Sequence, residues 1–197
     1  MNQERYEVTP LPWDTDRPDF NLTHTVTARP IPGGKALEIG CGTGSNAVWL
    51  AQKNFSVTAT DVSGEAINMA NQRASMAGVQ CRFLTVDFML NEIPGAPFDF
   101  AFDRGCFHCF DNPQTRQLFA RNVAKHLIPG GLWLSLIGSA DSPQLDTGPP
   151  QHTAADIITA VESWFEIISL TTSHFGVDRT DPPCAWVCLM RKRNDLI

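Results

Sequence analysis

The stretch that decides the fold reads Ala36-Leu37-Glu38-Ile39-Gly40-Cys41-Gly42-Thr43-Gly44-Ser45. Its first four residues are typical of a short buried strand. Residues 46–53 carry apolar side chains at the spacing of one helical face, which predicts a helix. A strand therefore runs into a helix through three glycines. Glycine allows the sharp turn and the close approach of a ligand that such a junction requires.

Strands and helices alternate from this junction onward. The predicted helices lie at 21–28, 46–53, 63–77, 115–127 and 153–163, and the predicted strands at 36–39, 56–60, 81–85, 98–102, 132–137, 165–172 and 185–191. Pro129-Gly130-Gly131 is expected to stop the fourth helix. The alternation predicts an α/β fold, Rossmann-like and doubly wound, with a mostly parallel seven-stranded sheet. Because no helix separates the last two strands, we expect them to form an antiparallel hairpin at an edge.

Length, composition and charge indicate an ordinary globular protein that acts on a small molecule. We expect the 197 residues to form a single domain, with an irregular N-terminal arm at 1–32 that covers the site and a core at 33–197. A net charge of −6 argues against nucleic acid as the partner, and no apolar run is long enough to span a membrane. We expect a cytoplasmic monomer or homodimer with reduced cysteines.

The glycine spacing alone is compatible with two classes of cofactor. A dinucleotide-binding fold also has glycines here, with an acidic residue about 20 positions later, and Asp61 fits that position. However, the spacing is Gly-x-Gly-x-Gly, and Glu38 stands beside the loop. A carboxylate would repel a pyrophosphate but attract the cationic amino group of S-adenosylmethionine. The charge therefore favours the methyl donor.

These residues resemble the class I S-adenosylmethionine-dependent methyltransferases. In that family an acidic residue and spaced glycines are followed by acidic residues at the ends of the second and third strands, here Asp61 and Asp87. The resemblance implies that the glycine loop, residues 40–44, lies against the methionine part, Asp61 against the ribose and Asp87 with Phe88 against adenine. The expected cofactor-binding residues are Trp13, Glu38, Gly40, Cys41, Gly42, Gly44, Asp61, Val62, Asp87, Phe88 and Asp103.

Three short motifs are similar to the thiopurine methyltransferase superfamily, which includes thiol and halide methyltransferases. They are Pro12-Trp13-Asp14, Asp103-Arg104-Gly105 and Gly148-Pro149-Pro150. The resemblance implies that Trp13 closes the arm over the cofactor, that Arg104 lies beside the reacting centre, and that Pro149 and Pro150 form a wall of the substrate pocket. The structural alternatives are a Trp13 that anchors the arm to the core and an Arg104 paired with Asp103.

His108 is a candidate general base and substrate-binding residue, because the ordinary pKa of histidine, about 6.5, suits proton transfer. A packing role fits its position equally well. His152 has the same two interpretations. Cys106-x-x-Cys109 and Cys184-x-x-x-Cys188 resemble halves of a zinc site. Cys184 and Cys188 lie four positions apart on one face of a predicted strand. This spacing separates the two sulfurs too far for one metal ion, so we expect no metal.

The expected reaction is methyl transfer to a small nucleophile: a thiol, a chalcogen or halide anion, or an activated hydroxyl. Such a displacement requires the nucleophile to be held about 3 Å from the methyl carbon, and a base is optional. Two alternatives stay open at this point. One is an NAD-dependent oxidoreductase, and the other is a non-catalytic cofactor-binding protein.

Overall fold

A computed structural model describes residues 14–28, 31, 33–141 and 149–194 of the chain. Its strands are β1 Lys35–Ile39, β2 Ser56–Asp61, β3 Cys81–Thr85, β4 Phe98–Arg104, β5 Leu127–Gly138, β6 Phe165–His174 and β7 Cys184–Lys192. Its helices are α1 Phe20–Ala28, α2 Ser45–Gln52, α3 Gly64–Met76, α4 Pro113–His126 and α5 Ala154–Val161. Every predicted strand and helix is present within a few residues of its expected bounds.

The seven strands form one sheet in the order β3-β2-β1-β4-β5-β7-β6. Strands β1 to β5 pair in parallel, whereas β7 runs antiparallel to both β5 and β6. This confirms the mostly parallel sheet with an antiparallel C-terminal hairpin. Of the two hairpin strands only β6 lies at an edge, because β7 is inserted between it and β5. The carboxyl ends of β1, β2 and β4 meet on one side, where open sheets of this kind bind ligands.

Both faces of the sheet are covered by helices. Leu37 and Ile39 belong to a core cluster that includes residues of α4 and α5. Ala36, one position away, belongs to a second cluster that includes residues of α1, α2 and α3. This alternation is the period of two expected for a strand buried on both faces. None of the described helices combines the length and the apolar character that a membrane crossing requires.

Two of the differences from the predicted boundaries have a clear local cause. Helix α4 begins at Pro113, two residues early, because Asn112 caps it by accepting from the Thr115 amide and proline is tolerated in the first turn. Strand β5 begins at Leu127, so the expected stop at 129–131 lies inside a strand. The strand accommodates it through an irregular register opposite β4 and a left-handed Gly130 with φ 74°.

Candidate active site

The glycine loop is a sharp turn that only glycine fits comfortably. Gly40, Gly42 and Gly44 have φ values of 69°, 53° and 83°, all in the left-handed region. A Cβ on Gly40 would lie 3.3 Å from the Cys106 side chain. The loop therefore has the geometry that the strand-to-helix junction predicts, with bare backbone facing the end of β4.

Asp61 ends β2 directly beside this loop. Its Oδ2 accepts from the Gly42 amide at 2.9 Å, and its Oδ1 accepts from the Ser63 amide at 2.9 Å. Ser63 in turn caps α3 by accepting from the Ala66 amide. On the neighbouring strand end, Asp87 accepts from the Met89 amide at 2.8 Å. Backbone donors thus hold both carboxylates in fixed orientations.

A cleft opens between these strand ends. Its lining residues are Ile39, Gly40, Thr60, Asp61, Val62, Val86, Asp87, Phe88, Met89, Cys106, Phe110 and Phe119. Five of the residues predicted for the cofactor are among them. Ile39, Thr60 and Val86 were missed although they adjoin the motif residues, so their position at strand ends was a usable signal. Phe110 and Phe119 are brought in by the turn after β4 and by α4, for which the sequence held no local signal.

Glu38 is buried beneath the glycine loop, with 1% of the residue exposed. Its Oε1 accepts from Asn46 Nδ2 at 3.2 Å, while Oε2 has no hydrogen-bond partner among the described residues. Burial, reinforced by the charge of Asp61, raises the pKa of Glu38 to about 8. A buried carboxyl with one unsatisfied oxygen is a suitable partner for a cationic group such as the amino group of S-adenosylmethionine.

The N-terminal arm reaches the glycine loop. Asp14 accepts a hydrogen bond of 2.7 Å from the Thr43 hydroxyl. Arg73 on α3 contacts Asp14 at 3.4 Å and Asp16 at 2.6 Å, which fixes this part of the arm. Trp13 and Gly148, two of the residues carried by the family resemblance, lie outside the described residues.

Asp103 does not line the cleft. It is fully buried, and its Oδ1 accepts from Trp133 Nε1 at 2.9 Å. Its Oδ2 accepts from the amides of Phe107 at 3.0 Å and Cys106 at 3.2 Å. Burial raises the pKa of Asp103 to about 6. These donors turn the carboxylate inward, where it holds the turn after β4, so the predicted contact of Asp103 with the cofactor stays a prediction for the rest of the residue.

Arg104 is paired, but not with Asp103. Its Nε donates to Asp19 Oδ2 at 2.8 Å, its Nη2 donates to the Gly176 carbonyl at 3.0 Å, and its guanidinium lies over the Phe175 ring at 5.3 Å. Arg104 thus joins the arm to the connection between β6 and β7, residues 175–183. Arg104 therefore forms a structural ion pair, as the alternative interpretation expected, but its partner is Asp19 and not Asp103. Its position beside the reacting centre stays a prediction.

The environment of His108 does not favour the predicted role of general base. Its Nδ1 accepts from the Gly138 amide at 2.8 Å, so the basic lone pair is already used. Burial, with smaller contributions from His152 and Arg104, lowers the pKa of His108 to about 3. His152 donates from Nε2 to the His108 carbonyl at 3.2 Å and supports the same turn. Pro150 is half-buried beside Gly138, whereas Pro149 is exposed.

The cysteines are free thiols. Cys41, Cys106 and Cys188 are buried, and burial raises the pKa of each. Cys184 is exposed and Cys188 is buried, and the two lie four residues apart along β7. Within the described part of the chain, no group of three or more His, Cys, Asp or Glu side chains has a metal-binding arrangement.

Residues 36–131 match the protein family described as "Methyltransferase domain". The chain is also 31% identical over 179 residues to "Probable thiol methyltransferase 2" of Arabidopsis thaliana, a match that spans 89% of this chain and 77% of that protein. The chain belongs to the class I S-adenosylmethionine-dependent methyltransferases. This methyltransferase therefore uses S-adenosylmethionine and not a dinucleotide, and it is an enzyme.

Two further comparisons agree with this family. It is 28% identical over 172 residues to "Thiocyanate methyltransferase 1" of Brassica oleracea, covering 84% of this chain and 74% of that one. It shares the fold of the magnesium protoporphyrin IX methyltransferase of Synechocystis PCC 6803, solved with bound S-adenosylmethionine, at a TM-score of 0.69 and 18% identity. That match covers 88% of this chain and 76% of the other.

Proposed function

We propose that the enzyme methylates a small acceptor that arrives already ionised, such as a thiolate or a chalcogen or halide-type anion. The observation that carries the proposal is the lack of a usable base around the end of β4 among the described residues. His108 has its basic nitrogen occupied, the Asp103 carboxylate is sealed in the core, and Arg104 is a cation. Relatives named for thiol and thiocyanate methylation agree with such an acceptor.

The cofactor, when bound, supplies a methyl group on a positively charged sulfur that is a good leaving group. We propose that Glu38 and the glycine loop hold its methionine part, Asp61 its ribose, and Asp87 with Phe88 its adenine. The arm, anchored through Asp14, would exclude water and large acceptors. An anion needs no deprotonation, so positioning alone can carry much of the rate enhancement. An activated hydroxyl is a weaker candidate, because it would require a base.

Methyl transfer from labelled S-adenosylmethionine to thiocyanate, iodide, hydrosulfide, an alkyl thiol and a phenol tests the proposal. We expect transfer to the anions and little to the phenol. At saturating S-adenosylmethionine, the rate with thiocyanate should be nearly constant between about pH 6 and 9, while the rate with the thiol should follow the thiol's own pKa near ~8.5. Preferred transfer to the phenol, or no transfer to any anion, would overturn the proposal.

A further inference from the structure

His108 lies in the short turn Phe107–Cys109 that follows β4, in a slot between two glycines. A Cβ on Gly138 would come within 3.0 Å of its Nδ1, and a Cβ on Gly105 within 3.0 Å of its Nε2. Only residues without side chains can flank the imidazole this closely. The slot therefore fixes the plane and direction of the ring.

The hydrogen bond inside this slot determines which nitrogen carries the proton. The Gly138 amide can only donate, so Nδ1 must accept and cannot carry hydrogen. A neutral imidazole has one N–H, which must then be at Nε2. Protonating Nδ1 as well would set two donors against each other at 2.8 Å. His108 is thereby fixed as a hydrogen-bond donor through Nε2.

The turn that carries His108 is held from several sides. Asp103 accepts from the amides of Cys106 and Phe107, and His152 donates to the His108 carbonyl. The Phe175 ring meets the imidazole edge to face, with 5.8 Å between centroids. A donor held this firmly loses little conformational entropy when a ligand binds.

The Nε2–H itself has no hydrogen-bond partner among the described residues, although 93% of His108 is buried, with 7% exposed. The residue opposite is Gly105, which has no side chain and follows the carboxyl end of β4. Nε2 itself is not fully enclosed, unlike the buried and partnerless Oε2 of Glu38, so its N–H is open to water or to a ligand. His108 does not line the cleft itself, but Cys106 and Phe110 on either side of its turn do, at the edge of the sheet where open α/β folds bind ligands.

We propose that His108 binds the anionic acceptor by donating its Nε2–H to it, and so selects ionised acceptors. This rests on the proposed function, in which the acceptor is a small anion. The acceptor's electron pair forms the new bond to the methyl carbon as the carbon–sulfur bond of the donor breaks, with its pair remaining on sulfur. The positive charge of the donor and the negative charge of the acceptor cancel, and no proton passes to the protein.

Two isosteric variants separate this donor role from a structural role. In His108→Asn the side-chain oxygen can replace Nδ1 as the acceptor for Gly138, but no N–H reaches the Nε2 position. In His108→Gln the amide nitrogen can replace the Nε2 donor, but the acceptor for Gly138 is lost. We expect kcat/KM for thiocyanate to fall about 10- to 100-fold in the Asn variant and clearly less in the Gln variant, with KM for S-adenosylmethionine unchanged. Equal losses, or a smaller loss for Asn, would overturn the proposal.

Nuclear magnetic resonance of wild-type protein labelled with ¹⁵N-histidine gives a readout that does not depend on turnover or on a folded variant. With S-adenosylhomocysteine bound, we expect His108 to be protonated at Nε2 only, and its Nε2–H signal to shift as thiocyanate is added. A proton at Nδ1, or no shift at saturating thiocyanate, would overturn the inference. A shift without methyl transfer would instead contradict the proposed function and leave the role of His108 intact.

Discussion

At the scale of single residues, Glu38 combines two opposing requirements. Its place under the glycine loop suits a cationic partner, but burial raises its pKa to about 8, so it holds a proton at neutral pH when no cation is present. A cationic group arriving at Oε2 would favour the ionised form. Cofactor binding should therefore release a proton from Glu38.

We predict that binding of S-adenosylmethionine below about pH 8 releases close to one proton in wild-type protein and much less in Glu38→Gln. The Gln side chain can still accept from Asn46 through Oε1, which makes it a matched control. Isothermal calorimetry in buffers of different ionisation enthalpy measures the released proton directly. Equal proton release from both proteins would contradict the assignment.

The same carboxyl should make stability depend on pH. Its native pKa of about 8 lies above the ordinary 4.5, so between these values the folded state keeps a proton that the unfolded state loses. Folding is then opposed increasingly as pH rises. Without cofactor, wild-type protein should lose stability relative to Glu38→Gln by a few kcal/mol between about pH 4.5 and 8. Urea unfolding of both proteins across this range measures the difference.

The sequence indicated where the candidate site residues lie, but it did not indicate their protonation or their hydrogen-bond partners. Glu38 could be assigned from its place beside the glycines, but its protonation depends on burial that no local pattern reveals. The base role of His108 failed because its partner Gly138 is 30 positions away, on β5. The partner of Arg104 was missed because Asp19 is 85 positions away, and the nearer Asp103 was already engaged.

At the scale of elements, Gly44 sets how closely α2 approaches α3. It has φ 83°, and a Cβ there would lie 2.8 Å from the Ala70 Cβ on α3. Real carbon atoms do not approach this closely, so the helices would have to separate. Gly78, just after α3, has a similar φ of 66° but open space around its Cα. Alanine at either position strains the backbone, but only at position 44 does it also crowd a neighbouring helix. Comparing the two variants therefore separates the packing cost from the backbone cost.

We predict that Gly44→Ala destabilises the protein by about 2 to 4 kcal/mol, from overpacking and backbone strain together. Gly78→Ala should cost only the backbone part, about 1 to 2 kcal/mol. Chemical denaturation of both variants gives the two values. Equal losses would mean that the contact with Ala70 is relieved without cost.

Element boundaries could be predicted where a side chain acts locally. Ser63 caps α3, and Thr153 caps α5 in a capping box with Asp156. The predicted helix stop at residues 129–131 was wrong. Pro-Gly-Gly usually stops a helix, whereas here α4 has already ended at His126. The neighbouring strand β4 then pairs across them in an irregular register. Tertiary pairing thus overrode a strong local signal.

At the scale of the whole molecule, two ion pairs join the N-terminal arm to the β6–β7 connection and its surroundings. Asp19, with 1% of its side chain exposed, binds Arg104 and accepts from the Gly176 amide at 2.9 Å. The backbone amide of Asp19 also donates to Asn46, which contacts Glu38. The second pair, Arg17 with Asp178, lies on the surface. The buried pair alone is connected to the cofactor site.

We predict that Asp19→Asn costs about 3 kcal/mol and loosens both segments, because it leaves the Arg104 charge without its buried partner. Asp178→Asn should cost less than about 1 kcal/mol, since its pair is exposed. Hydrogen exchange should accelerate at 14–28 and 175–183 in the first variant only. Similar exchange in the two variants would show that Asp19 does not organise the arm.

The insertion of β7 between β5 and β6 has a consequence for folding during synthesis. Strand β6 leaves the ribosome before the strand that links it to the sheet, and β5 meanwhile presents an unpaired edge. Newly made chains therefore pass through an interval in which two strands can pair with the wrong neighbours. Translation stalled just before Cys184 would prolong that interval and expose a substrate for chaperones and proteases.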